Sequence, residues 1–286
     1  MRTTSLVSNR KLRRKIREIL LFLLALVIAC YFLFPFLWMV STSLKTLGQT
    51  FTYPPEWIPR PVRLENYWEA WQEYAPFNLY LKNTVVITGL AVIGTVLSSS
   101  LVAFSFGRLR WPGRDGLFLI LLSTMMLPYQ VTLIPQFVLY TKLDWVDTYL
   151  PLIVPTFFGN PFCIFLLRQF IMSVPLELDE AARIDGCSNF MIYYKIILPL
   201  CKPALASAAV FTFMANWNDF MAPLIYLRTE SKFTLQLGML IFRSQSEVYW
   251  NHLMAVSVLA LAPCLVIFFL VQRWFIEGIA LTGIKG

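Results

Sequence analysis

"EAARIDGCSNFMIYYKIILP", residues 180–199, is a charged, glycine-broken segment set between two long apolar runs. Read with the residues before it, "SVPLELDEAARIDG" (173–186), it describes a short helix with defined ends. Pro175 suits the entry to a first turn, where its missing N–H leaves no bond unmade. Glu177, Asp179 and Glu180 place negative charge at the helix N-terminus, where the backbone dipole favours it. Gly186 suits the left-handed residue that stops a helix. Ser188 is placed to cap a second helix through "NFMIYYKII", which Pro199 punctuates. A segment that only had to reach the next run needs none of these devices. The spacing predicts a helix, a sharp turn and a second helix.

The rest of the chain says where such a projection sits. Of 286 residues, 58% are hydrophobic and only 14% charged, with a mean hydropathy of +0.64. Soluble domains are roughly 45–50% apolar. Six stretches, 20–40, 84–106, 117–139, 149–167, 198–226 and 253–271, approach the roughly 20 residues that cross a bilayer as helix. Pro128, Pro135, Pro203 and Pro223 interrupt the third and fifth, which spanning helices tolerate where neighbours satisfy the freed carbonyls. The runs do not alternate apolar with polar residues, as barrel strands do. The fold expected is all-α, a polytopic membrane bundle of six transmembrane helices. Residues 1–19 form a basic cytoplasmic N-terminus and 20–286 a single six-span domain. The first run continues into bulky "FLWMVSTSLK" with no small-residue cleavage site, so it is expected to stay as a span.

Charge distribution orients the spans. Placing the N-terminus in the cytoplasm assigns 16 of the 24 Lys and Arg residues to the inside: seven before the first span, three at Arg108, Arg110 and Arg114, four within 168–202 and two after the last span. This bias follows the positive-inside rule. It puts both termini and the segment 168–202 in the cytoplasm, and 44–82 outside. A basic N-terminus beside an apolar run is an orientation signal and an attraction to anionic lipid, which argues against nucleic acid as a partner. In the outer loop, "LENYWEAWQEY" (64–74) spaces Leu64, Tyr67, Trp68 and Trp71 as one face of a short amphipathic helix. That face suits either the lipid headgroups or an external partner. The five cysteines are scattered without metal-ligand spacing, so no metal site is expected. His252, the single histidine, reads as a hydrogen-bonded structural residue.

Within the inside loop, Ala181 and Ala182 would let a facing surface approach closely, with Leu178 and Ile184 as apolar knobs and Glu180 and Arg183 at the rim. Asp179 and Arg183 are equally spaced for an i,i+4 ion pair on a solvated helix. Glu180-Ala181-Ala182, Gly186 six residues after the glutamate, and Ile196 with Leu198-Pro199 resemble the EAA loop of ABC importer permeases. "YLPLIVPTFFGNPFCIFLLRQF", "WNDFMAPLIYL" and "FIEGIALTGIKG" extend the resemblance to the MalG-like carbohydrate-uptake permeases over nearly the whole chain, more weakly in its N-terminal third. The resemblance implies a type I importer half, with the loop as a coupling helix seated on one of two cytoplasmic ABC ATPase subunits. Glu180, Ala181, Ala182, Arg183, Asp185 and Gly186 would form that contact, and Ile196, Leu198 and Pro199 would brace it. It further implies a second homologous permease, an external solute-binding protein, and residues 283–286 as a further ATPase contact. The chain has no GxxxxGK[ST] phosphate cradle, so ATP and Mg are expected on the ATPase subunits and no cofactor on this chain.

Polar groups within spans are costly and mark pathways. Asp219 is the one carboxylate within a predicted span, in "NWND" with Asn216, Trp217 and Asn218. Carbonyl, amide and aromatic groups of this kind suit an uncharged polyol with apolar ring faces. Asn160, Gln130 and Gln136 are further candidates for the pathway. Asp219 is also placed to be hydrated or to cap a neighbouring helix. Alternative readings are an independent secondary transporter, which one carboxylate and no internal repeat support thinly, an importer of a sugar-phosphate or glycerophosphodiester, and a membrane enzyme, for which no paired catalytic groups appear.

Overall fold

The computed structural model describes the backbone of residues 3–243 and 248–282 and the side chains of 14–243 and 248–272. Among the described residues there is no strand, only an isolated bridge between Arg243 and Val248. Contacts divide the chain into two compact units, Met1–Ala70 with Phe242–Leu259, and Trp71–Ile241 with Ala260–Gly286.

In the first unit, helix α1 (Thr3–Ser43) carries an apolar span from Arg14 to Ser43 whose side chains are exposed as far as Pro35 and become buried at Ser41, Thr42 and Ser43. Its C-terminal carbonyls meet a buried amide. Asn66, in the short α2 (Glu65–Trp68), donates Nδ2 to the Ser43 and Lys45 carbonyls at 2.8 Å each. This satisfies acceptors that a helix end leaves open. Asn251 closes the cluster on Asn66 at 3.2 Å. His252 pairs with Glu69 at 3.0 Å, and Glu69 holds Arg63 at 2.8 Å. Of the stripe expected at 64–71, Leu64 and Trp68 are exposed, as a face for headgroups or a partner requires, and Asn66 and Ala70 are the residues turned inward. Asn66 is buried because the carbonyls at the end of α1 need its amide.

The second unit is built on α3 (Phe77–Arg108), 32 residues and so about 48 Å long. Its buried face is a column of small residues, including Ala91, Gly94, Thr95, Ser99 and Ala103, while Val85, Leu90, Ile93, Leu97 and Leu101 point outward. Membrane helices approach one another through small residues because lipid offers no hydrophobic gradient. A Cβ at Gly94 would lie 2.6 Å from the Phe157 ring. Helix α3 begins seven residues before the expected position 84, so Lys82 lies on helix rather than loop.

The third expected run is two helices, α4 (Arg114–Thr124) and α5 (Tyr129–Lys142), bent by 95° at Pro128. The fourth comprises α6 (Leu150–Ile153), a 3-10 turn through Phe158, and α7 (Pro161–Ser173). Gly159 at φ +92° makes the break, and the Asn160 side chain caps α7 by accepting from the Cys163 N–H at 3.1 Å. After the inside segment, α8 (Glu177–Ile184), α9 (Asn189–Ile192), a π-helical stretch and α10 (Leu198–Leu200) lead to an 80° bend at Cys201.

Helix α11 (Lys202–Trp217) ends nine residues short of the expected fifth span, and α12 (Met221–Tyr226) follows a break. Pro203 opens α11, where a first-turn proline costs no bond. A strap through 229–235 and α13 (Leu235–Gly238) crosses the start of α3. There Tyr80 donates to Glu230 at 3.0 Å, Asn83 to the Ser231 and Phe233 carbonyls, and the Leu235 N–H to Thr84 at 2.8 Å. Helix α14 (Trp250–Thr282) ends the described chain. Among the described residues, four segments are long and apolar enough to cross a membrane, and up to six if each bent pair is one crossing.

Candidate functional site

Helix α8 ends as the sequence predicts. Gly186 adopts φ +81°, its N–H bonds the Arg183 carbonyl at 3.0 Å, and the Cys187 N–H reaches back to Ala182 at 2.9 Å. These two bonds form a Schellman motif. Ser188 then caps α9, accepting from the Met191 N–H at 3.3 Å. The projection is therefore hydrogen-bonded at both turns rather than a slack connection.

Its faces are unequal. Leu178, Glu180, Ala181, Arg183, Ile184 and Asp185 are exposed, Ile184 to 88%. Asp179 and Ala182, three residues apart, are buried. Ala182 belongs to one continuous apolar cluster with Phe106 of α3, Leu167 and Ile171 of α7, Ile197 and Ala204. Of the two alanines expected at a docking face, only Ala181 is available. The 100° step between neighbours on a helix turns the other inward. Ile196 and Leu198 pack on the same cluster, whereas Pro199 is exposed.

Asp179 does not pair with Arg183. Its Oδ2 lies 3.6 Å from Nε of Arg108, the last residue of α3, with both side chains almost wholly buried. Arg108 also donates to the Val174 carbonyl at 2.7 Å. Sequence reading counted Arg108 as a topological charge and missed this contact, which links positions 71 residues apart and leaves no local spacing signal.

The in-membrane candidates separate on inspection. Asn216 and Asp219 line one small crevice with Thr84, Thr88, Leu152, Pro223 and Thr234. Asp219 sits in the break between helices, its carboxylate accepting from the Ala222 N–H at 3.2 Å at the start of α12. Trp217 turns away from it, buried against Phe213 and donating to the Ala260 carbonyl at 3.1 Å. Asn218 is exposed and bonded to its own helix at Met214. Asn160 is occupied as the α7 cap, and its N–H donates to Ser99. Gln130 is exposed and Gln136 half-buried on α5, outside the crevice. Only two of the seven are thus brought together. Thr84, Thr88 and Thr234 join them unforeseen, since hydroxyls spaced along apolar helices carry no motif. Residues 283–286 lie outside the described residues.

Apolar helices long enough to cross a membrane, with the capped helix α8 set between two of them, are the frame of a polytopic membrane protein. The model of the binding-protein-dependent transport system inner membrane component family matches residues 96–280. The chain belongs to that family. It is 33% identical over 284 residues to an arabinooligosaccharides transport system permease protein, AraQ, of Halalkalibacterium halodurans, covering 96% of this chain and 100% of that one. It is also 33% identical over 280 residues to the trehalose/maltose transport system permease protein MalG of Thermococcus litoralis, covering 95% and 98%. Among solved structures, a chain of a bacterial ABC transporter involved in the import of the acidic polysaccharide alginate shares the fold, with a TM-score of 0.78 at 23% identity over 91% of this chain and 97% of that one.

Proposed function

We propose that this chain is the transmembrane permease subunit of an ATP-driven, binding-protein-dependent importer of carbohydrate, mono- or oligosaccharide, in the cytoplasmic membrane with both termini inside. It forms half of the translocation pathway with a second homologous permease. An external solute-binding protein delivers the sugar, and two cytoplasmic ATPase subunits supply the work, so this chain is not itself an enzyme. The carrying observation is α8, whose outer face of Leu178, Ala181 and Ile184 is open while its inner face is part of the bundle core. Closure of the ATPases on nucleotide moves such a helix without bending it, and the bundle alternates between inward- and outward-facing states.

A neutral sugar is preferred to a sugar-phosphate or glycerophosphodiester because the polar groups brought together within the spans, Asn216, Asp219, Thr84 and Thr88, include no cation to meet a phosphate. The relatives named for arabinooligosaccharides and trehalose/maltose agree with this class. The test is photo-cross-linking in native membranes, with p-benzoylphenylalanine in place of Ile184 and, separately, of Ala182. The expected result is an ATPase-sized adduct at 184 and little at 182. Adducts to lipid alone at 184 would overturn α8 as the ATPase-docking helix.

A further inference from the structure

The Arg108–Asp179 pair is unlike the other ion pairs among the described residues. Each of the others leaves its carboxylate side chain a quarter or more exposed, whereas here the two side chains are 1% and 5% exposed. It is also incompletely bonded: Arg108 Nε and Asp179 Oδ1 have no hydrogen-bond partner. Burying two charges in this way is poor value for stability, and apolar residues of similar volume often serve as well. What such a pair does supply is a fixed register between elements, which non-directional apolar contact does not.

The elements it fixes are the three that matter for transmission. The α7–α8 connection is only Val174, Pro175 and Leu176, with Val174 extended at ψ 135°. This link of three residues outside either helix is where α8 is able to swivel on α7. Arg108 closes that swivel from both sides, taking the Val174 carbonyl with one nitrogen and facing Asp179, in the first turn of α8, with another. Arg108 is in turn the end of α3, whose opposite end is bonded to the strap through Tyr80, Asn83 and Thr84. Thr84 and Thr88 on the same helix line the crevice.

We propose that Arg108 is a positioning residue for energy coupling: it clamps α8 to α7 and α3 so that a displacement of α8 reaches the strap as rigid motion of α3. This rests on the reading of α8 as the ATPase-docking helix. Without the clamp, α8 still follows the ATPase, but its movement is dissipated at the Val174–Leu176 link.

The experiment uses the assembled complex, permease pair with ATPases, in lipid nanodiscs. Amide hydrogen exchange is compared between nucleotide-free and ATP–vanadate-trapped states for the unaltered protein, Asp179→Asn, and the double variant Arg108→Met with Asp179→Leu. The expected result is that the nucleotide-dependent change at 177–184 persists in both variants while that at 229–238 falls by about fivefold or more. If the pair only stabilised the fold, the apolar double variant would keep the response at 229–238, and that outcome overturns the proposal even where Asp179→Asn fails to assemble. Absence of any nucleotide response at 177–184 in the unaltered complex would instead sink the docking reading itself.

Discussion

Replacing each of two adjacent alanines by leucine separates the inner from the outer face of α8. Ala182 is 6% exposed and surrounded by the cluster of Phe106, Leu167, Ile171 and Ile197, whereas Ala181 is exposed. Leucine adds three carbons at either site, and the small difference in helix propensity between Ala and Leu is common to both. At 182 the added atoms must displace packed neighbours, which costs about 1–3 kcal/mol. At 181 the change in stability is expected within about 0.5 kcal/mol. The gap of about 1–3 kcal/mol corresponds to roughly a 5- to 150-fold difference in the folded-to-unfolded ratio. The assay is the thermal midpoint for loss of monodisperse protein in detergent, with ATPase co-purification measured alongside. Ala182→Leu is expected to lower the midpoint, and Ala181→Leu to leave it in place while reducing the ATPase recovered. Equal midpoints, or the larger fall at 181, would show that the faces of α8 have been assigned the wrong way round.

Three further outcomes are expected. Gly186→Ala forces a side chain into the left-handed region at φ +81° and should cost about 1–2 kcal/mol, with Gly186→Asn milder because asparagine visits that region; thermal midpoints of the two variants decide it. Trp217→Phe keeps the stacking on Phe213 but removes the indole N–H bond to the Ala260 carbonyl, a loss of about 0.5–1.5 kcal/mol measurable in the same way. At Asp147, the Thr229 hydroxyl, the Thr229 and Arg228 N–H groups and Lys232 hold the carboxyl below the usual carboxylate range. A depressed folded pKa gives stability that is complete above the unfolded value near 4 and is lost as pH falls through the folded one. The midpoint advantage of the unaltered chain over Asp147→Asn should therefore be constant from pH 5 to 7 and shrink below about pH 4.

Much of this protein is legible along the chain because its signals are local. The ends of α8 follow from Glu177, Asp179, Glu180 and Gly186, and Ser188 caps the next helix, since capping is satisfied by groups within a few residues. The membrane class follows from apolar run length, which the bilayer thickness sets. Continuity of the runs is less legible. Pro128 and Cys201 sit at sharp bends, while Pro35, Pro135 and Pro263 lie inside helices. A proline frees a carbonyl at each of these last three, yet the sharp bends lie elsewhere, so the surroundings decide where the chain turns.

The sequence by itself determined a polytopic helical membrane protein with a capped, charged helix between two spans, because hydropathy, capping and charge bias are properties of neighbouring residues, and the resemblance of that helix to the EAA loop pointed to a permease. Only the tertiary structure decided which alanine of the pair faces outward, that Asp179 answers Arg108 rather than Arg183, and that Asn160 and Trp217 are engaged in packing while Asn216 and Asp219 share a crevice with threonines. Those choices depend on which surfaces meet when helices far apart in the chain pack together, and burial then settles each polar group on whatever partner is within reach.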